Sequence, residues 1–369
     1  MTDPILAIQL DYRVVFFILF ITVSAGIVTI AWPALQAKQF RRKCDVFEED
    51  VPSLWRSDCH SSQQKNSRPL LSIIIPAYNE QSRLPSMLAS TLDHLNDAQH
   101  QLVGLCQDVL DSSHVESHQT ENTSATKLPT SVPPFELIII NDGSNDGTIS
   151  SIQNFLENRQ NSTSRSSLQA TVRILTLRQN SGKGAAIRTG MLHSSAHVCL
   201  MADADGATEI STGLPKLLQA MASEKTPVAF GSRAHLQQKS QATRTASRTI
   251  LMHGFHFFVK VLCSSRVQDT QCGFKLFTHA AAQSLFGNLH LTRWAFDTEL
   301  IVIAERLHLG IAEVGVEWKE VEGSKLDDGG KLGLAIISLG MLRDMLCVRV
   351  CYSLGFWAMY ESNDRRKLD

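Results

Sequence analysis

Five short apolar runs, each of strand length and each ending in a loop of Asp, Asn, Gly or Pro, recur between residues 70 and 233. They are LLSIIIPAYNE, FELIIINDGSNDGT, VRILTLRQN, HVCLMADADG and PVAFGSR. Strands that are apolar on both faces must be covered on both faces, and a parallel sheet flanked by helices meets that demand. Stretches with helical spacing fall between the runs, as in SRLPSMLASTLDHL (82–95) and KGAAIRTGMLHSSA (183–196). The alternation predicts an α/β fold built on a mostly parallel sheet. Such sheets bind ligands beyond the carboxyl ends of their strands, where the polar loops lie. GxGxxG and GxxxxGK[ST] do not occur, so a dinucleotide fingerprint and a P-loop lack their defining residues.

The chain is organised around that domain. From Val14 to Ala37 there are 24 residues without a charge. A helix of that length rises about 1.5 Å per residue and crosses a hydrocarbon core about 30 Å thick. A cleaved signal peptide has an apolar core of only about 7–15 residues. Lys38, Arg41, Arg42 and Lys43 follow the run, whereas Asp3, Asp11 and Arg13 precede it. Residues 1–43 therefore read as a membrane anchor whose basic flank places the remainder in the cytosol. Residues 44–69 read as a stalk and 70–330 as the α/β domain. Residues 96–134, rich in Ser, Thr, Gln and His, read as a mobile surface insertion.

Residues 244–266 and 332–360 are apolar stretches interrupted or flanked by basic residues. Helices lying in a membrane interface and ordinary buried helices both satisfy that pattern. The tail, 331–369, is assigned to the former class. The eight cysteines form no CxxC pair, which fits reduced thiols rather than structural zinc, and a net charge of −1 gives no field suited to nucleic acid.

The chemistry-bearing residues sit at the strand ends. Asp203 and Asp205 in MADADG are two carboxylates one residue apart, a spacing that holds a hard divalent cation such as Mg²⁺ or Mn²⁺ while leaving positions for phosphate oxygens. The loops Pro76-Ala77-Tyr78-Asn79-Glu80 and Asn141-Asp142-Gly143-Ser144 suit a nucleotide. Their carboxylates accept hydrogen bonds from a base or ribose, and Gly143 allows close backbone approach to the ligand. Asn180-Ser181-Gly182-Lys183-Gly184 opens a helix and offers N–H groups and an ammonium to phosphate.

Together PAYNE, the DGS of NDGS, NSGKGAAIRTG and DAD resemble glycosyltransferase family 2, with its Rossmann-like GT-A fold. ADADGATE, GSRAHL, DTQCGFKLF, RWAFDTEL and EGSKL resemble the dolichyl-phosphate β-glucosyltransferase branch, over residues 70–326. The resemblance implies UDP-glucose as donor, dolichyl phosphate as acceptor and the endoplasmic reticulum membrane as the site of action. It implies that Pro76, Ala77, Tyr78, Asn79, Glu80, Asp142, Gly143, Lys183, Asp203 and Ala204 surround the nucleotide, and that Asp203 and Asp205 hold the metal. Arg233 and Lys275 would meet donor or acceptor phosphate, with Asp269 and Asp297 organising those cations. Glu299 is assigned a structural place. Position 207 is Ala where the mannosyl branch carries Gln, and position 290 is His where a processive polymerase carries the Gln of QxxRW. A dolichyl-phosphate mannosyltransferase is the enzymatic alternative, and an inactive binding protein that keeps the fold is the non-enzymatic one.

Overall fold

In a computed structural model of the chain, the residues described are 26, 28–29, 31–33, 46–56, 68–114, 133–162, 170–239, 266–321 and 330–359. Eight strands form one sheet: β1 (Val46–Glu49), β2 (Leu71–Ala77), β3 (Phe135–Asn141), β4 (Ala170–Leu177), β5 (Val198–Met201), β6 (Val228–Ser232), β7 (Lys275–Thr278) and β8 (Ile311–Gly315). Their spatial order is β1-β4-β3-β2-β5-β7-β6-β8. β2 runs parallel to both β3 and β5, β3 to β4, and β6 to β8. The exceptions are β1, antiparallel to β4, and β7, antiparallel to both β5 and β6.

The apolar runs alternate between two cores, because successive strand side chains point to opposite faces. Ile73 and Ile75 of β2, with Leu137 and Ile139 of β3, pack on one side. There they meet α1 (Leu84–Asp97), α2 (Gln99–His114), α3 (Thr148–Ser162) and α5 (Ile210–Glu224). Ile74, Ile138 and Ile140 pack on the other, against α4 (Lys183–His193), α7 (His279–Asn288), α8 (Phe296–Arg306) and α9 (Gly330–Ser353). A short α6 (Ala234–Lys239) follows β6. Helix α4 is buried through most of its length because it is made of small residues. A Cβ at Gly190 would stand 2.5 Å from both Ile140 and Ile74, so this helix lies directly on the sheet.

Three expectations need correction. Residues 46–56 are not stalk: β1 pairs with β4, and Trp55 is buried with its indole N–H donating to the Leu156 carbonyl at 3.1 Å. The first half of the 96–134 insertion is helix α2, whose Leu102, Cys106 and Val109 recur at helical spacing and bury against the core; residues 115–132 lie outside the described residues. Within the tail, α9 buries Met345, Cys347, Val348, Cys351 and Tyr352, so the domain continues past residue 330.

Of the 14–37 run, only Gly26, Val28, Thr29 and Ala31–Pro33 are described, and they are helical. Among the described residues no helix is long and apolar enough to cross a membrane. The 244–265 stretch and Lys325 of EGSKL lie outside the described residues.

Because Trp55 fills a site between β4 and α3, Trp55→Ala should destabilise the domain by about 3–5 kcal/mol. Thermal unfolding of the solubilised protein reads this as a lowered Tm, whereas a stalk residue would leave Tm unchanged.

Candidate active site

The strand order reverses between β2 and β5. From β2 the chain builds outward through β3 to β4, and from β5 it builds the other way. The loops leaving the carboxyl ends of these two neighbours open side by side, the usual ligand crevice of such sheets.

The loop after β2 is interlocked with the loop after β3. Asn79, in the left-handed region at φ +54, donates its N–H to Ser144 Oγ at 2.9 Å and accepts from Asn145 N at 2.8 Å. The Glu80 N–H donates to Thr148 Oγ1 at 2.8 Å, and Gly147 N donates to Gln81 Oε1 at 3.0 Å. The Glu80 carboxylate is taken by Arg83 in a two-pronged pair at 2.7 and 2.6 Å. Ala77 is buried within β2, and Tyr78 beyond it is half-buried. Pro76, also half-buried in β2, sits in register with Ile140. Asn79 and Glu80 thus shape this wall by holding the loop, and Arg83 is the charge it presents toward Asp203 and Asp205.

Asp142 grips the third loop. Its two oxygens accept the N–H groups of Ser181 at 2.6 Å and Gly182 at 2.8 Å, and its own N–H donates to the Ala77 carbonyl. Burial pushes this carboxyl up to about 6, against the opposing pull of those two N–H donors and the Arg293 charge. Gly143 also has a reason within the fold to be glycine. At φ +68, a Cβ there would stand 2.7 Å from Asn180 N and the Gln179 carbonyl carbon, so the glycine admits the 179–180 backbone.

The Asp203 carboxylate lies 2.6 Å from the Lys183 ammonium in an ion pair, and that ammonium also sits 5.7 Å from the centre of the Trp294 ring. Burial acts to lower the Lys183 pKa, but Asp203 and Asp297 outweigh it and hold the ammonium above its ordinary value. Beneath Asp203 lies Gly273, where any Cβ would run into the carboxylate. Asp205 accepts the Ala207 N–H at 2.9 Å through Oδ1, an Asx-type turn, and its other oxygen makes no hydrogen bond among the described residues. Ala204 between them is buried in the apolar core, so only its backbone is available to a nucleotide.

Two charge pairs complete the site. Arg233 meets Asp269 through its backbone N–H and Nε, both 2.8 Å from Oδ2, and through Nη2, 3.0 Å from Oδ1. Burial would raise the Asp269 carboxyl, but Arg233 more than offsets this and holds it below its usual range. Glu313 of β8 fixes the turn from below by accepting the N–H groups of Gln268 and Asp269, and the Arg233 guanidinium sits 5.5 Å from the Trp318 ring centre.

The second pair departs from expectation. Lys275 is wholly enclosed, with its ammonium on the Cys272 carbonyl at 2.5 Å and on Asp297 at 2.6 Å. Burial pushes the Asp297 carboxyl up despite both lysines nearby. Lys275 therefore lies under the site, where it fixes the 272–274 turn that sets Gly273 beneath Asp203. Removing one partner of such a buried pair strands the other charge.

Among the described residues no three His, Cys, Asp or Glu side chains cluster as a complete metal shell. Two hard carboxylates one residue apart still fit Mg²⁺ or Mn²⁺, because these ions draw their remaining ligands from substrate phosphates and water. Sequence reasoning missed Arg83, Gly273, Glu313 and Trp318. Arg83 and Gly273 stand beside recognised motifs, three residues past Glu80 and two before Lys275, whereas Glu313 and Trp318 carry no local signal.

Residues 122–286 match Glycosyl transferase family 2. A dolichyl-phosphate beta-glucosyltransferase from Dictyostelium discoideum is 38% identical over 300 residues, covering 79% of each chain. Its Homo sapiens counterpart is 36% identical over 320 residues, covering 85% of this chain and 83% of that one. Among solved structures, glucosyl-3-phosphoglycerate synthase from Mycobacterium tuberculosis in complex with UDP is similar at 16% identity. Its TM-score is 0.41, and the match covers 75% of this chain and 80% of that one.

The folded-state pKa of Asp142, about 6, lies above its ordinary 3.8, so the folded protein keeps this proton longer than the unfolded chain does. Its contribution to stability is therefore complete below about pH 4 and is lost as pH rises through about 6. Asp142→Asn should flatten that decline by about 2–3 kcal/mol, read from thermal unfolding at a series of pH values.

Proposed function

The chain belongs to the dolichyl-phosphate beta-glucosyltransferase family within glycosyl transferase family 2, and we propose that it transfers glucose from UDP-glucose to dolichyl phosphate with inversion. The observation that carries the mechanism is how the carboxylates around the crevice are spent. Glu80 is bound to Arg83, Asp142 to two backbone N–H groups, Asp269 to Arg233 and Asp297 to Lys275. An alcohol acceptor needs a base, because its pKa lies far above cellular pH. A phosphate monoester is already anionic at pH 7, its second pKa being near ~6. Its oxygen attacks the anomeric carbon, the bond to the UDP oxygen breaks, and UDP leaves with the bonding pair. One displacement turns an α-linked donor into a β-linked product without proton transfer.

What remains is to bring two anions together. Lys183 and Arg233 supply positive charge from fixed positions, which costs little reorganisation as the reaction proceeds. A Mg²⁺ or Mn²⁺ held by Asp203 and Asp205 would neutralise charge gathering on the departing diphosphate. Tyr78 and the backbone of 77–81 and 142–144 would bind the uridine.

The same reading puts the enzyme on the endoplasmic reticulum membrane, its N-terminal run as anchor and its domain facing the cytosol. The exposed side of α9 supports membrane contact. Ile336, Leu339 and Val350 lie along one face, continued by Leu354 and Phe356, while the opposite face is packed in the core. Apolar side chains on an outward helix face, with Arg343 and Arg349 on the same helix, suit a lipid headgroup boundary.

The purified, solubilised protein given dolichyl phosphate should form an acid-labile glucolipid with UDP-glucose and not with UDP-galactose or GDP-mannose. A mannolipid instead would move the chain to the mannosyl branch, and no product from any donor would restore the binding-protein reading. Asp205→Ala should lower turnover by at least about a hundredfold. In vesicles, Leu339→Glu with Phe356→Glu should raise KM for dolichyl phosphate several-fold, while a short, water-soluble prenyl phosphate acceptor is used as by the unaltered protein.

A further inference from the structure

The Glu299 side chain is fully buried and accepts more hydrogen bonds than any structural filler requires. The His290 N–H lies 3.1 Å from each of its oxygens and the Leu291 N–H lies 2.7 Å from Oε2. His290 Nδ1 lies 2.9 Å and the Tyr352 hydroxyl 3.1 Å from Oε1. One carboxylate thus ties together α8, the 290–291 turn and the end of α9. The imidazole of His290 also stacks on Trp357, beyond α9, with ring centres 3.9 Å apart and planes 3° from parallel.

That turn leads straight to the site. The Thr292 carbonyl accepts the Ala185 N–H at 3.0 Å. It also crowds Gly182 so closely that a Cβ there would stand 2.5 Å from it, and a Cβ at Gly184 would stand 2.8 Å from the Leu291 carbonyl. Arg293 next in sequence bears on Gly182 from the side and pulls electrostatically on Asp142. The 180–184 segment is therefore clamped from two directions, by the Asp142 carboxylate and by the 291–293 backbone. Its glycines are what let the clamp close. Lys183 reaches Asp203 only because the helix start is held there.

We infer that Glu299 is a positioning residue for the donor: through the 290–293 turn it fixes the start of α4 against the nucleotide crevice and links that placement to the seating of α9. The inference rests on the proposed reading, in which the 180–184 loop faces the donor diphosphate. Four donors converge on the two carboxylate oxygens, an arrangement that suits glutamate. A glutamine of the same shape has one acceptor oxygen, and its NH₂ would face N–H donors already present. Tyr352 and His290 are the members of the unit that belong to, or stack on, the C-terminal segment.

The test is UDP binding by titration calorimetry in Mg²⁺, with donor and acceptor kinetics beside it, on the full-length solubilised protein. Glu299→Gln should weaken UDP about tenfold and raise the UDP-glucose KM to match, with the dolichyl phosphate KM changed less than about twofold. Tyr352→Phe removes one donor to Glu299 and keeps the packing; it should give a smaller shift of the same kind, and adding it to Glu299→Gln should have almost no further effect. Equal UDP affinity in folded Glu299→Gln and unaltered protein would overturn the inference. So would equal loss of donor and acceptor binding, or, should Glu299→Gln not fold, unchanged UDP affinity in Tyr352→Phe. Failure of the unaltered protein to bind UDP would instead overturn the proposed reaction itself.

Discussion

The ion pair between Lys183 and Asp203 is the contact on which the arrangement of the site depends. It joins the start of α4 to the end of β5, one loop from each side of the place where strand order reverses. Burial acts to lower the pKa of this partly buried lysine, and the Asp203 and Asp297 carboxylates hold it above its ordinary value. An aspartate laid over Gly273 keeps its place only while nothing larger than hydrogen occupies that position. Each therefore constrains the other, and a chain of constraints runs outward from them. Gly273 is set by the turn that Lys275 and Asp297 hold from below. Lys183 is set by a loop gripped between Asp142 and the Thr292 carbonyl.

Such a site accounts for an economy in its carboxylates. A reaction between two anions gains from fixed positive charge, yet bare cations in a folded crevice repel one another and are costly to desolvate. Pairing each cation with a carboxylate leaves a local charge near balance and a rigid geometry. Arg233 illustrates this. Asp269 takes its guanidinium and its own N–H together, and Glu313 in turn holds the Asp269 backbone. The arginine's direction then depends in part on strand β8, through Glu313.

Much of this was legible in the sequence, and the limits have physical causes. Strands β2 to β6 were readable because both their faces are buried, and so were the loops at their ends. β1 and β8 lie at the edges of the sheet and carry polar or half-exposed residues, so their runs lack the apolar signal. β7 is four residues long and opens on a lysine, whose charge argues for exposure until its buried partner 22 positions later is known. The resemblance assigned Lys275 to phosphate, whereas its ammonium is enclosed against Asp297 and the Cys272 carbonyl. Gly143 was assigned to the ligand because a glycine announces close approach without saying to what; the backbone it meets within the fold is that of Gln179 and Asn180, far along the chain. Local pattern reports burial and turns, whereas long-range pairing decides which of two equally suitable groups meets the substrate.

The fold also ties the outward apolar face of α9 to the donor loop without placing that helix beside the reacting atoms. Helix α9 has one face in the second core and the other outward, and its final turn is tied to α8 and the 290–291 turn through a single buried carboxylate. A carboxylate in that position is stable only when all its partners are present, because each one lost leaves buried charge less well solvated by the protein. Seating α9 and ordering the donor loop are then parts of the same folding event. On the proposed reading, with one substrate in lipid and one in water, the enzyme gains from that dependence. The 180–184 loop is then fully clamped only when α9 is in place.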